Sequence, residues 1–192
     1  ARQLARWRRQ YESAPDFAIN INLSRRQLID TELISTINSI ISNTQVRPDL
    51  LHLEITESLV VENAGQTCEQ LEELRRLGFK VHMDDFGTGY SSLSCLHEFP
   101  LDGLKVDRSF ISNMGARVDY AAVVQAVVTL AHNLGMRIIA EGVETADQLV
   151  QLQALNCDDA QGFYFGLPAP SHEASRFISV AHDIDDRDRQ AA

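Results

Sequence analysis

Cysteine is scarce in this chain of 192 residues. The three present, Cys68, Cys95 and Cys157, are odd in number and show no Cys-x-x-Cys spacing. That excludes a disulfide-stapled extracellular scaffold and fits small core fillers in a reducing cytoplasm. The six histidines show no paired ligand spacing, which argues against zinc. No apolar run is long enough to cross a bilayer, and no signal peptide opens the chain. Basic charge is in deficit, with 17 Lys and Arg against 27 Asp and Glu, a net charge of -10 and a pI near 5.0. A general binder of DNA, RNA or anionic membrane is therefore excluded, although carboxylates loaded with metal can still take a phosphate ester. The early arginines Arg2, Arg6, Arg8 and Arg9 read as a solvated helix face. Asn22-Leu23-Ser24 matches a glycosylation sequon but sits at a strand end, and is discounted.

No low-complexity linker and no short repeat divides the chain. Residues 1–182 read as one domain, and 183–192, with Asp183, Asp185, Asp186 and Asp188, as a frayed acidic tail. Periodicity alternates between strand and helix. The expected strands are Phe17 to Leu23, Leu50 to Ile55, Phe79 to Asp84, Gly103 to Asp107, Met136 to Glu141 and Gln161 to Phe165. Helical spacing joins Leu28, Leu33, Ile34, Ile37, Ile40 and Ile41, and then Leu71, Leu74 and Leu77. It returns over Tyr120 to Leu134, Thr145 to Leu155 and Ser171 to His182, with Thr145 and Ser171 as caps. Such alternation gives right-handed crossovers and a parallel sheet covered by helices. No Gly-x-Gly-x-x-Gly turn follows an early strand, which weakens an open dinucleotide-binding sheet. Nearly every strand instead ends in a polar or acidic residue, as in a TIM-type (β/α) barrel. A full barrel takes eight strands and about 250 residues, so about six of the eight are present and the barrel is incomplete. The chain starts at Ala rather than Met, and the missing strands are expected upstream.

Alternation along each strand gathers the candidate site. Asn22, Glu54, Asp84, Lys105, Asp107, Glu141 and Gln161 all fall on polar faces near strand ends. Asp84 and Asp85 run into Phe86-Gly87-Thr88-Gly89-Tyr90, where glycines allow a sharp turn that sets the second carboxylate beside the first. Taken alone, the pair reads as an acidic turn with a helix cap, Glu54 as a rim residue, and Lys105 and Asp107 as a surface ion pair. Together, Asn22, Glu54, Asp84, Asp85 and Asp107 form a set of hard oxygen donors suited to Mg²⁺ or Mn²⁺. That many carboxylates suit two ions about 3.5–4 Å apart, with Asp84 as the bridge, an arrangement that hydrolyses phosphodiesters. Lys105 can hold a water or phosphate oxygen, and Glu141 is the spare carboxylate for base chemistry.

The segments Asn22-Leu23-Ser24, Glu54-Ile55-Thr56-Glu57-Ser58, Asp84 to Leu93, Leu104 to Phe110, Ala140-Glu141-Gly142-Val143-Glu144-Thr145 and Gln161 to Phe165 resemble, in order, those of EAL-domain cyclic di-GMP phosphodiesterases. The resemblance implies that Asn22, Glu54 and Asp84 bind one metal, while Asp84, Asp85 and Asp107 serve a second. It implies that Lys105 and Glu141 act around the hydrolytic water and that Gln161 lines the mouth. Glu57 would hold the loop containing Gly87, Thr88 and Gly89, which contributes to homodimer contacts, and Glu144 would support a neighbouring strand end. The reaction implied is hydrolysis of cyclic di-GMP to linear pGpG in the cytoplasm, under an upstream sensor or regulatory domain. No Glu-Ala-Leu occurs here, although its Glu is a metal ligand in the family. The chain by itself is therefore expected to be impaired in hydrolysis and marginally stable, its strand edges being open. The alternative is a noncatalytic cyclic di-GMP receptor or interaction module.

Overall fold

Strand and helix alternate in the computed structural model, which describes residues 1–11, 17–57, 59, 64–87, 93–115, 118–175 and 177–178. Helix α1 (Arg2–Gln10) leads to β1 (Ile19–Asn22), the short α2 (Arg25–Leu28) and α3 (Leu33–Thr44). A 3₁₀ turn at Pro48–Leu50 feeds β2 (Leu51–Thr56), followed by α4 (Ala64–Arg76) and β3 (Lys80–Phe86). Then come α5 (Leu93–Glu98), β4 (Gly103–Val106), α6 (Arg108–Asn113) and α7 (Val118–Asn133). The series ends with β5 (Arg137–Ala140), α8 (Ala146–Ala154) and β6 (Asp159–Ala160), with further helix over 171–175. Thr88, Gly89, the Cys95 side chain and the acidic tail lie outside the described residues.

The strands pair in chain order, β1-β2-β3-β4-β5-β6, and every pair is parallel. Among the described residues β1 and β6 do not pair with each other, so the barrel is incomplete, as its sequence predicts. One face of the sheet is apolar: Leu53 and Ile55 of β2, Val81 and Met83 of β3, Leu104 and Val106 of β4 and Ile138 of β5 are buried. Helices supply the other half of that core through Leu71, Leu74, Val128 and Leu152. With the apolar faces turned to the helices, alternation turns the polar set inward, toward the barrel axis.

Local chemistry fixes several boundaries. Thr145 and Gln148 form a capping box that opens α8, and Ser24 and Gln27 form another that opens α2. The helical run expected from Leu28 to Ile41 is interrupted, because the Asp30 carboxylate accepts the Glu32 N–H at 2.9 Å and holds a turn between α2 and α3.

Two strand assignments change. The third strand continues past Asp84 to Phe86, with an irregularity in its pairing to β4 between Met83 and Phe86. Asp85 itself takes the left-handed conformation, at φ 55°, so the bulge rather than the glycines turns the second carboxylate. The last strand is Asp159–Ala160, and Gln161 to Phe165 forms a turn. Gln161 donates its N–H to Ala140 O and accepts from Val143 N–H, after which Gly162 closes against the Val143 backbone, where a Cβ would collide. Phe163, Tyr164 and Phe165 are exposed, which is why their apolar character is a poor guide to a buried strand here.

At the amino-terminal rim two aspartates staple neighbouring strands. Asp102, just before β4, accepts the Val81 N–H of β3 at 3.0 Å, and also pairs with Arg75 and Lys80, both at 3.1 Å. Asp158, just before β6, repeats the device on Ile138 N–H of β5 at 2.8 Å, with His132 at 3.0 Å. Burial opposes ionisation of both carboxyls, but the bonds they accept win and hold both below the usual aspartate range.

Candidate active site

The carboxyl ends of β2 to β5 meet around one buried cation. Lys105, in β4, is 2% exposed, and its Nζ lies 2.6 Å from Glu54, 2.9 Å from Asp84 and 2.5 Å from Glu141. Burial alone would favour the neutral lysine, but the close contacts of its ammonium with the carboxylates of Glu141, Glu54 and Asp84 outweigh that and raise its pKa. It is therefore a fixed positive charge, not a base. Glu141, immediately after β5, is pushed up by burial and by the charges of Asp84 and Glu54, against the pull of Lys105. Its Oε1 also accepts from Gln161 Nε2 at 3.3 Å.

Asp85 stands at the bulge beside Asp84. Burial, then the charges of Asp84 and Asp107, raise its carboxyl above the usual range. Oxygens of Asp84, Asp85 and Glu141 all lie within 4.8 Å of one another. Asp84 Oδ1 is buried and, although in ion-pair range of Nζ, accepts no hydrogen bond of good geometry. A buried carboxylate oxygen without a directed donor, beside two more carboxylates, fits a hard divalent cation.

The expected site residues have further partners. Glu54 is occupied twice, by Lys105 and by Asn20 Nδ2 at 2.7 Å. Asn22 lines a cavity of about 320 Å³ with Glu54, Thr56 and Leu59. Asp107 caps α6, its Oδ1 accepting from Ser109 N–H at 3.0 Å and from the Ser109 hydroxyl at 2.5 Å. Burial opposes its ionisation, but those bonds lower its pKa. Glu57 is buried and accepts the Gly87 N–H at 3.3 Å. Glu144 is exposed, its backbone N–H bound to Gln148 Oε1.

Sequence alone missed two neighbours of the centre. Asn20 shares its strand face with Asn22, and although the register sets Asn22 opposite Glu54, the Asn20 side chain reaches along the sheet to it. His82 is 5% exposed and stacks 4.6 Å from His52, with its ring over Gly103. Burial, then His52, bring its pKa down to about 4, so it forms a neutral floor beneath the charges. Its place one turn of the pleat below Asp84, in an otherwise charged stripe, was the available signal.

A parallel (β/α) barrel with an acidic mouth defines the class. The EAL domain family model matches residues 1–168, and the chain belongs to that family. It is 40% identical over 157 residues to the cyclic di-GMP phosphodiesterase NbdA of Pseudomonas aeruginosa, spanning 82% of this chain and 19% of the relative. The chain spans about a fifth of the length of the curated relatives it matches, 21% in the case of the Bacillus subtilis signaling protein YkoW. Among solved structures, the EAL domain of Mycobacterium smegmatis DcpA is similar with a TM-score of 0.88 and 34% identity, over 94% of this chain and 80% of that one. The PaMucR phosphodiesterase in complex with c-di-GMP gives a TM-score of 0.83 and 38% identity, over 90% and 69%.

Proposed function

We propose that this chain carries the catalytic centre of a cyclic di-GMP phosphodiesterase that produces linear pGpG. The observation that carries the reading is the cluster of Glu54, Asp84 and Glu141 on Lys105 at the barrel mouth, with Asp85 beside it. Its support is membership of the EAL family and likeness to relatives described as phosphodiesterases.

Two ions, Mg²⁺ or Mn²⁺, are held by Asp84 and Asp85, with Asn22, Glu54 and Asp107 completing the donor set. Such ions supply charge stabilisation at the phosphoryl group and a lower pKa for the attacking water. The chain's own residues do the rest. Lys105 keeps its charge and holds three carboxylates in register, so the donors are oriented before substrate arrives. Glu141, with its pKa raised, takes the proton as the water oxygen attacks phosphorus and the bond from phosphorus to the ribose oxygen breaks. Gln161 fixes the orientation of the Glu141 carboxylate. In the whole protein the same reading includes a homodimer through the loop after Asp85, an upstream regulatory domain and a cytoplasmic location.

The test is turnover of cyclic di-GMP by this chain with Mg²⁺ or Mn²⁺, followed as pGpG by chromatography. Glu141→Gln should lower the rate by about 10²–10⁴-fold. Turnover by this chain alone is expected to be weak; tight binding of the dinucleotide with no turnover under either metal by the full-length protein would replace the enzyme by a receptor.

A further inference from the structure

Gly87 follows the bulge that carries Asp85, and it is held on two sides. Its N–H is accepted by the Glu57 carboxylate at 3.3 Å. Its Cα face is covered by the ring of Phe110, so closely that a Cβ on residue 87 would lie 2.7 Å from Phe110 Cε2 and 2.8 Å from Cζ. Contacts that short are closed to any residue but glycine, and φ at Gly87 is 95°. The ring comes from α6, a helix of 6 residues fixed at its start by the Asp107 cap, and it packs on Tyr120 of α7 with ring centroids 6.0 Å apart.

We propose that Phe110 is a positioning residue for the acidic centre: by pressing on Gly87 it fixes the bulge and so the placement of Asp85 against Asp84 and Glu141. The inference rests on the reading of that cluster as a cation site. Asp85 is an aspartate in the left-handed conformation one residue before the end of β3, and Gly87, two residues on, is exposed on its remaining side. Glu57 restrains that segment through a single N–H of Gly87. A flat ring against its Cα removes the second direction of movement. The same ring ties the centre to α6 and α7, so movement of those helices is transmitted to cation affinity.

The probe is Mn²⁺ binding to the whole chain without substrate, read from the electron paramagnetic resonance signal of free Mn²⁺. Phe110→Ala is expected to lower Mn²⁺ affinity at least tenfold. Leu4→Ala, at a fully buried residue of α1, destabilises the fold away from Gly87, α6 and α7, and is expected to keep the parent affinity within twofold. Phe110→Leu, which keeps apolar volume but loses the flat ring, is expected to lose several-fold and replaces the alanine variant if that one does not fold. A parent chain that binds Mn²⁺ and Phe110 variants that bind it within twofold of the parent overturn the inference alone. A parent chain that binds no Mn²⁺ overturns the cation reading, and the inference with it.

Discussion

Replacing Asp102 by alanine removes a staple whose parts can be weighed separately. Its Oδ2 accepts the Val81 N–H, and Val81 is fully buried, so the donor left behind has no water to turn to. An orphaned buried N–H costs about 1–3 kcal/mol. Arg75 and Lys80 also lose their partner, but their side chains are 42% and 48% exposed and return to solvent. Exposed pairs of that kind contribute about 0–1 kcal/mol each. The sum is a loss of about 1–5 kcal/mol, or roughly 2–20 °C at about 2–4 °C per kcal/mol for a chain of this size. Asp102→Asn keeps an acceptor for Val81 and should recover about half of the loss. The pH dependence has a definite sign. The folded carboxyl is held below its ordinary range, so its stabilisation is present above the unfolded value of about 3.9 and is lost as pH falls through the folded one. The gap between parent and Asp102→Ala should therefore narrow in acid. Urea denaturation followed by circular dichroism at a series of pH values measures both variants. A gap under about 0.5 kcal/mol at neutral pH, or one that stays flat down to about pH 3, would refute the reasoning.

Lys105→Met leaves Glu54, Asp84 and Glu141 facing one another without their cation, and should cost about 3–5 kcal/mol in urea denaturation at neutral pH. A loss below about 1 kcal/mol would mean that the carboxylates already share protons in the parent. Cys157 donates to Asp159 O at 3.2 Å, and burial raises its thiol to about 11. At pH 8 its thiolate fraction is therefore on the order of one in a thousand, and disulfide reagents mapped by mass spectrometry should reach it only as the chain unfolds.

What the sequence reveals about fold and site follows the range of the forces involved. Alternation and helical spacing are local, so the parallel sheet, the Thr145 cap and the inward placement of Lys105 beside Glu54, Asp84 and Glu141 are all legible. Register between strands is not local. Nothing along β1 says that Asn22 lies opposite Glu54 while the Asn20 side chain reaches the same carboxylate from two residues earlier. Sharing of one side chain is equally hidden: Asp107 reads as a metal donor, and its Oδ1 also caps α6 by accepting the Ser109 N–H. Asp85 conceals its left-handed backbone because glycine stands two positions later and offers the simpler explanation of a turn. The sixth strand is misplaced for a related reason. Phe163, Tyr164 and Phe165 have strand-like chemistry, yet Gly162 turns them out of the sheet.

The charges at the mouth explain why a lysine and a metal belong in the same site. Glu54, Asp84, Asp85, Asp107 and Glu141 bring five carboxylates toward strand ends that offer one buried cation. Lys105 lies on the inner side, where Glu54 is 6% exposed, and sets a positive charge 2.6 Å from Glu54 and 2.9 Å from Asp84. It cannot serve the outer side, because its donors are already directed at three residues. Asp107 is satisfied separately by the start of α6. Asp84, Asp85 and Glu141 crowd together on the outer side, and the carboxyls of Asp85 and Glu141 are raised first by burial and then by neighbouring carboxylates. A divalent cation would ease that crowding while Lys105 keeps its contacts with Glu54 and Glu141. The lysine therefore sets the inner limit of the centre, and cation binding should lower the proton affinity of Asp85 and Glu141.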